Sequence, residues 1–128
     1  MNYLLDTHVL LWAINEPAKL PPSIKEKIED TGNGCYVSIA SFWEIAIKFS
    51  LKKLPLTMEL KDLFEIVDKS QFEILNLNPS DILQVATLPF HHNDPFDRVL
   101  ISQALTNNLT VLTKDKTFAS YPASIELV

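Results

Sequence analysis

Tyr3-Leu4-Leu5-Asp6-Thr7-His8-Val9-Leu10-Leu11-Trp12 is the stretch from which the rest of the chain is read. Tyr3 to Leu5 reads as a short buried strand that stops at an acid, and a helix follows from Thr7 to about Ile14. The same alternation recurs downstream. A helix opened by Pro21-Pro22-Ser23 carries Ile24 and Ile28 and ends at Thr31-Gly32-Asn33-Gly34, and Cys35 to Ser38 is a second strand. Phe42, Ile45, Ala46 and Phe49 stand at helical spacing in a helix from Ser41 to about Lys52, and an amphipathic helix covers Glu59 to Lys69. Phe72 to Leu77 is a third strand, followed by a helix from Pro79 through Ala86 and a loop at Leu88 to Asn93. Asp94-Pro95 starts a helix to about Thr106, Thr110 to Thr113 is a fourth strand, and Ile125 to Val128 is a candidate fifth. Short apolar strands alternating with helices predict an α/β fold with a mostly parallel sheet covered on both faces.

The 128 residues fit one domain spanning 1–128, and 47% apolar content supplies a core without disulfides. The one cysteine, Cys35, lies in an apolar run and reads as a buried thiol, consistent with a reducing compartment. No signal-like N-terminal region and no apolar run near the ~20 residues of a membrane helix is present, so a cytoplasmic location without membrane contact is expected. Two glycines exclude a Gly-rich phosphate loop.

In parallel sheets ligands gather beyond the carboxyl ends of the strands. Asp6 follows strand one, Glu44 lies one turn into the helix after strand two, Asp97 is in the first turn of the helix leading to strand four, and Asp115 is just past strand four. Each has a plainer reading. Asp6 and Asp115 would serve as helix caps. Ser41-Phe42-Trp43-Glu44 fits a capping box, and Glu44 is spaced for an ion pair with Lys48. Asp94 would cap the helix at Pro95 and leave Asp97 to face the site, or the two would exchange roles. As a group, four convergent carboxylates suit Mg2+ or Mn2+, hard cations that prefer oxygen ligands, and without a cation they would repel one another. The net charge of −5 opposes nucleic-acid binding by charge alone, yet without these four acids the count is 12 against 11 bases.

These segments resemble the PIN-domain nucleases, particularly the VapC-like toxins of bacterial toxin–antitoxin pairs. The matching stretches are Leu5 to Trp12, Ser38 to Lys48, Asp94-Pro95-Phe96-Asp97-Arg98 through Ala104, and Val111 to Asp115 with Phe118, in order along essentially the whole chain. The resemblance implies a three-layer α/β/α sandwich with four to five strands and a Mg2+- or Mn2+-dependent endoribonuclease acting on RNA. It also implies a cognate antitoxin protein that blocks the site and a pairing of the chain as a homodimer. It assigns metal binding and catalysis to Asp6, Glu44, Asp97 and Asp115, with Asp94 as an additional acid.

Several further residues invite roles. Arg98, the only arginine, would grip a phosphate bidentately or pair with a site acid. Thr7, Ser38 and Thr113 would hydrogen-bond the acids or cap backbone. His8, His91 and His92 have no zinc-site spacing, and His91-His92 reads as a solvated loop pair. Lys48, Lys52, Lys53, Lys114 and Lys116 would line an RNA path or lie scattered on the surface. Phe42, Trp43, Phe49, Phe64 and Trp12 read as core. Alternatives to the nuclease are a non-catalytic protein-binding module, in which the acids only cap, and a metal-dependent phosphatase.

Overall fold

A strand buried on both faces must send alternate side chains into two cores, and the strands here do so. The computed structural model describes all of residues 1–128, in which β1 (Asn2–Leu5), β2 (Gly34–Ser38), β3 (Glu73–Leu75), β4 (Thr110–Thr113) and β5 (Ser124–Leu127) form one sheet. The strand order is β3-β2-β1-β4-β5, and every neighbouring pair is parallel. Leu4 and its register partner Val111 face one core with Leu100, Ile101 and Phe118. Leu5, Val37 and Leu112 face the other with Val9, Leu10, Ile45 and Leu63.

The helices that cover these faces are α1 (Thr7–Asn15), α2 (Pro22–Glu29), α3 (Ile39–Ser50), α4 (Leu60–Lys69), α5 (Pro79–Val85) and α6 (Pro95–Asn107). The result is the α/β/α sandwich expected from the alternation. The chain builds β2 and β3 on one side of β1 and then β4 and β5 on the other. The order therefore reverses between β1 and β4, where a crevice opens at the carboxyl edge of such a sheet. Helix ends follow ordinary rules. Asp94 caps α6 with Pro95 at its first position, and α6 stops at Asn108, whose φ of 54° is the left-handed conformation that closes a helix.

Two expectations need correction. The third helix begins at Ile39, not Ser41, because Ser38 is at once the last residue of β2 and the N-cap of α3. Its hydroxyl accepts the Ala40 N–H at 3.0 Å and donates to the buried Gln103 carbonyl oxygen at 2.5 Å. Ser41 instead accepts a buried hydrogen bond from the Thr7 hydroxyl, tying α1 to α3. Glu44 consequently lies in the second turn of α3 and belongs to no capping box. The second correction concerns the aromatics. Phe42 is buried and Trp12 and Phe64 are partly so, but Trp43 and Phe49 are 61% and 41% exposed. Cys35 is buried as expected, and no helix is long and apolar enough to cross a membrane.

Ser38→Ala removes a cap and leaves the fully buried Gln103 amide short of a partner. It should cost about 1–3 kcal/mol of unfolding free energy in denaturant titration.

Candidate metal centre

Asp6 is placed by the end of β1 and used twice. One carboxylate oxygen accepts the Val9 N–H at 2.8 Å and caps α1, and the other accepts the Thr113 hydroxyl across the β1–β4 crevice. Asp115 sits two residues beyond the Thr113 that ends β4. Its backbone N–H donates to the Thr113 hydroxyl, and its carboxylate accepts the Thr117 N–H at 2.9 Å. Glu44 points inward from α3 and is 4% exposed. Its Oε2 accepts from Lys48 Nζ at 2.7 Å, whereas the buried Oε1 has no hydrogen-bond partner. Asp97 occupies the first turn of α6. Asp94 caps that helix through bonds from the Phe96 and Asp97 N–H groups at 2.9 and 3.1 Å.

These five acids line one cavity of about 310 Å3 together with His8, Lys48, Lys114 and Phe118. The four acids chosen at the strand ends therefore meet, and Asp94 reaches the same cavity while capping. Capping and lining the cavity are not alternatives here, since Asp6, Asp94 and Asp115 do both.

Burial of like charges dominates the electrostatics. Desolvation lifts the Asp97 carboxyl to about 8, with the charges of Asp94, Glu44, Asp6 and Asp115 adding to it. Asp6 is lifted to about 6, again chiefly by burial, even though its bonds from Thr113 and Val9 pull the other way. Burial opposes the Lys48 ammonium, but the bond to Glu44 and its charge hold it above its ordinary value. His8 is pushed down by burial and by Lys114 and Lys48.

The secondary candidates separate. Thr113 touches an acid directly, but Thr7 and Ser38 do not, being committed to Ser41 and Gln103. Arg98 neither faces the cavity nor pairs with an acid, which corrects both of its expected roles. The residue is 5% exposed, and its guanidinium donates to the carbonyls of Pro89, Leu88 and Val85 and to the Tyr121 hydroxyl and lies 4.1 Å over the Phe90 ring. His92 is not a solvated loop residue. Its ring packs against Phe118 and Tyr121, and its buried Nε2 is 3.5 Å from Asp97 Oδ2. The residues that turn this ring inward lie 26 and 29 positions later, so only the doublet's nearness to Asp94-Pro95 pointed to it in sequence.

A family model described as the PIN domain matches residues 3–123. Among solved structures, the chain resembles VapBC2 from Rickettsia felis bound to a DNA fragment from its promoter, with a TM-score of 0.78 at 20% identity, covering 100% of this chain and 99% of that one. It resembles DNA-bound VapBC from Salmonella typhimurium with a TM-score of 0.70 at 18% identity, covering 98% and 97%. For VapBC-5 from Mycobacterium tuberculosis the TM-score is 0.61 at 20% identity, covering 99% and 97%. These likenesses are likenesses of fold. No match was found among curated protein sequences.

Two outcomes follow from the geometry. Asp97 and Asp6 bind protons more tightly folded than unfolded, so their stabilising contribution is complete below about 3.8 and is lost as pH rises through about 6 and about 8. In the metal-free protein Tm should fall across that interval, and Asp97→Asn should flatten the slope when melts are compared at several pH values. Arg98→Lys strips several hydrogen bonds from a buried hub and should cost about 2–4 kcal/mol in chemical denaturation.

Proposed function

The chain belongs to the PIN-domain family, and from that premise we propose that it is a Mg2+- or Mn2+-dependent endoribonuclease, the toxin of a type II toxin–antitoxin pair. The observation that carries the reading is the buried, unpartnered Oε1 of Glu44 within a cavity lined by Asp6, Asp97 and Asp115. A desolvated carboxylate oxygen without a donor is costly, and a cation removes that cost. The donor set is made of oxygens, which suits a hard divalent ion. When bound, such an ion supplies Lewis acidity toward an attacking water and toward the leaving oxygen of a phosphodiester.

The protein's own residues have definable parts. Asp6, Glu44, Asp97 and Asp115 hold the cation, and Thr113 fixes the Asp6 carboxylate. Lys48 orients Glu44 through its 2.7 Å bond to Oε2. Lys114 stands where an incoming phosphate is met by positive charge. A neighbouring cavity of about 190 Å3 shares His8 and Lys114 with the acid cavity and is walled by Trp12, Leu11 and Leu56. Lys114 Nζ is 5.1 Å from the Trp12 ring centroid. An aromatic beside a cation suits an unstacked base and its phosphate, which supports a single-stranded RNA over a small phosphomonoester. The solved VapBC likenesses support an antitoxin as protein partner. Exposed Trp43, Phe49, Leu51 and Phe90 offer apolar surface for it or for a second copy in a homodimer. Cytoplasmic residence fits this role.

Asp6→Asn and Asp97→Asn should each lower cleavage of a single-stranded RNA oligonucleotide by at least about 100-fold. Circular dichroism should be unchanged, and chelator should abolish the wild-type rate. Mn2+ at about 100 times its Kd should stabilise the wild type by about 2.7 kcal/mol, and Asp6→Asn should lose most of that gain. Full activity in chelator, or hydrolysis of p-nitrophenyl phosphate in preference to RNA, would reject the assignment.

A further inference from the structure

The acids account for one kind of ligand atom, oxygen, but a nitrogen reaches the same cluster. We propose that His92 Nε2 is a ligand, with Asp97 and Asp115, for a divalent transition-metal cation, so that the centre has a mixed nitrogen–oxygen position beside its all-oxygen one. The inference rests on the metal-dependent reading of the same cluster and adds to it a residue and a cation class.

Three observations carry it. The His92 Nε2 is buried and has no hydrogen-bond partner, and Glu44 Oε1 is in the same condition on a side chain that is 4% exposed. An imidazole nitrogen withdrawn from water without a partner is costly. The second observation is distance. One ligand atom each from His92, Asp97 and Asp115 lie within 4.8 Å of one another, and Nε2 is 3.5 Å from Asp97 Oδ2. With metal–ligand bonds of about 2.1 Å, neighbouring ligand atoms stand about 3 Å apart and opposite ones about 4 Å, so only a small contraction is needed.

The third observation is orientation. His92 Nδ1 lies 2.8 Å from the Tyr121 hydroxyl oxygen, and that hydroxyl has an acceptor of its own in the His92 carbonyl at 3.4 Å. In the Nδ1–H tautomer this nitrogen donates to Tyr121 and the Nε2 lone pair is directed at the two carboxylates, the arrangement by which an outer partner sets the tautomer of a metal-bound histidine. Arg98 and the His91 and His92 amides reach the same hydroxyl at 3.2–3.3 Å and hold it in place. The ring is clamped edge-on by Phe118, with centroids 5.9 Å apart at 82°. Imidazole favours later transition ions, whereas carboxylate and water suffice for Mg2+. A plain ion pair between His92 and Asp97 would give no such preference.

The test uses Co2+ and Mg2+ as probes on the whole protein. The Co2+ form should show a hyperfine-shifted, solvent-exchangeable imidazole N–H proton resonance. That resonance should be lost in His92→Ala and retained in the double variant His8→Ala/His91→Ala, which keeps His92 as its only histidine. By calorimetry His92→Ala should raise the Co2+ Kd by at least about tenfold and the Mg2+ Kd by less than about threefold. A Co2+ form without the resonance overturns the proposal, and so does a resonance that vanishes in the double variant or equal losses for both ions. Those results leave the four-acid site standing. The four-acid site fails separately if Mg2+ affinity is unchanged in Asp6→Asn. If His92→Ala does not fold, the wild-type and double-variant spectra still decide.

Discussion

Carboxylates crowded out of water at one sheet edge repel one another, and the rest of the structure is arranged around containing that repulsion. A parallel sheet brings the ends of β1 and β4 together at its carboxyl edge, where the helices that follow begin. Helix beginnings carry free N–H groups and a partial positive charge, so this edge is also where acids are tolerated best. Asp6, Asp94 and Asp115 use it, each accepting backbone N–H bonds as a cap. Glu44 is offset by Lys48 instead. The Asp97 carboxylate has neither a cap bond nor a lysine, and it is the acid pushed furthest, to about 8. Asp6, lifted chiefly by burial but bonded by Thr113 and Val9, rises only to about 6.

Asp97 and Arg98 adjoin in sequence and serve opposite sides of α6. Consecutive helical side chains diverge by about 100°, so a residue next to a site residue is aimed away from it. Arg98 consequently grips the carbonyls of residues 85, 88 and 89 at and beyond the end of α5. It also holds Tyr121, Tyr121 orients His92, and His92 faces Asp97. The arginine thus bears on the carboxylate beside it through a loop and two aromatic rings, not through its own charge.

How much was legible in the sequence depended on whether the cause was local. The strand ends, the helix caps and the four convergent acids were legible because apolar alternation and cap chemistry act over a few residues. Ser41 misled because Ser-x-x-Glu is a genuine local signal, overridden when β2 runs straight into α3 and Ser38 takes the cap. Trp43 and Phe49 were read as core, but an apolar residue on a helix reveals its face only once the neighbours are known. His92 depended on Phe118 and Tyr121, far along the chain, and no periodicity encodes that contact. Cap and cavity-lining acid coincide at Asp6, Asp94 and Asp115, because a carboxylate that accepts an N–H on one oxygen still has a second.

The whole-chain charge of −5 says little about a polyanionic substrate, because fields between exposed charges fade over about 8 Å at physiological ionic strength. What a phosphate meets is the cavity itself, where Lys48 and Lys114 stand among five acids. Without cations the acids prevail and the cavity repels phosphate. Two divalent ions would match the charge of Asp6, Glu44, Asp97 and Asp115, leaving the lysines to set the local sign. On the proposed function, cation and nucleic acid would then favour each other's binding, and the coupling would be reciprocal by linkage. Under the proposed function an acidic protein with few bases would handle RNA with an affinity conditional on the cations its acids hold.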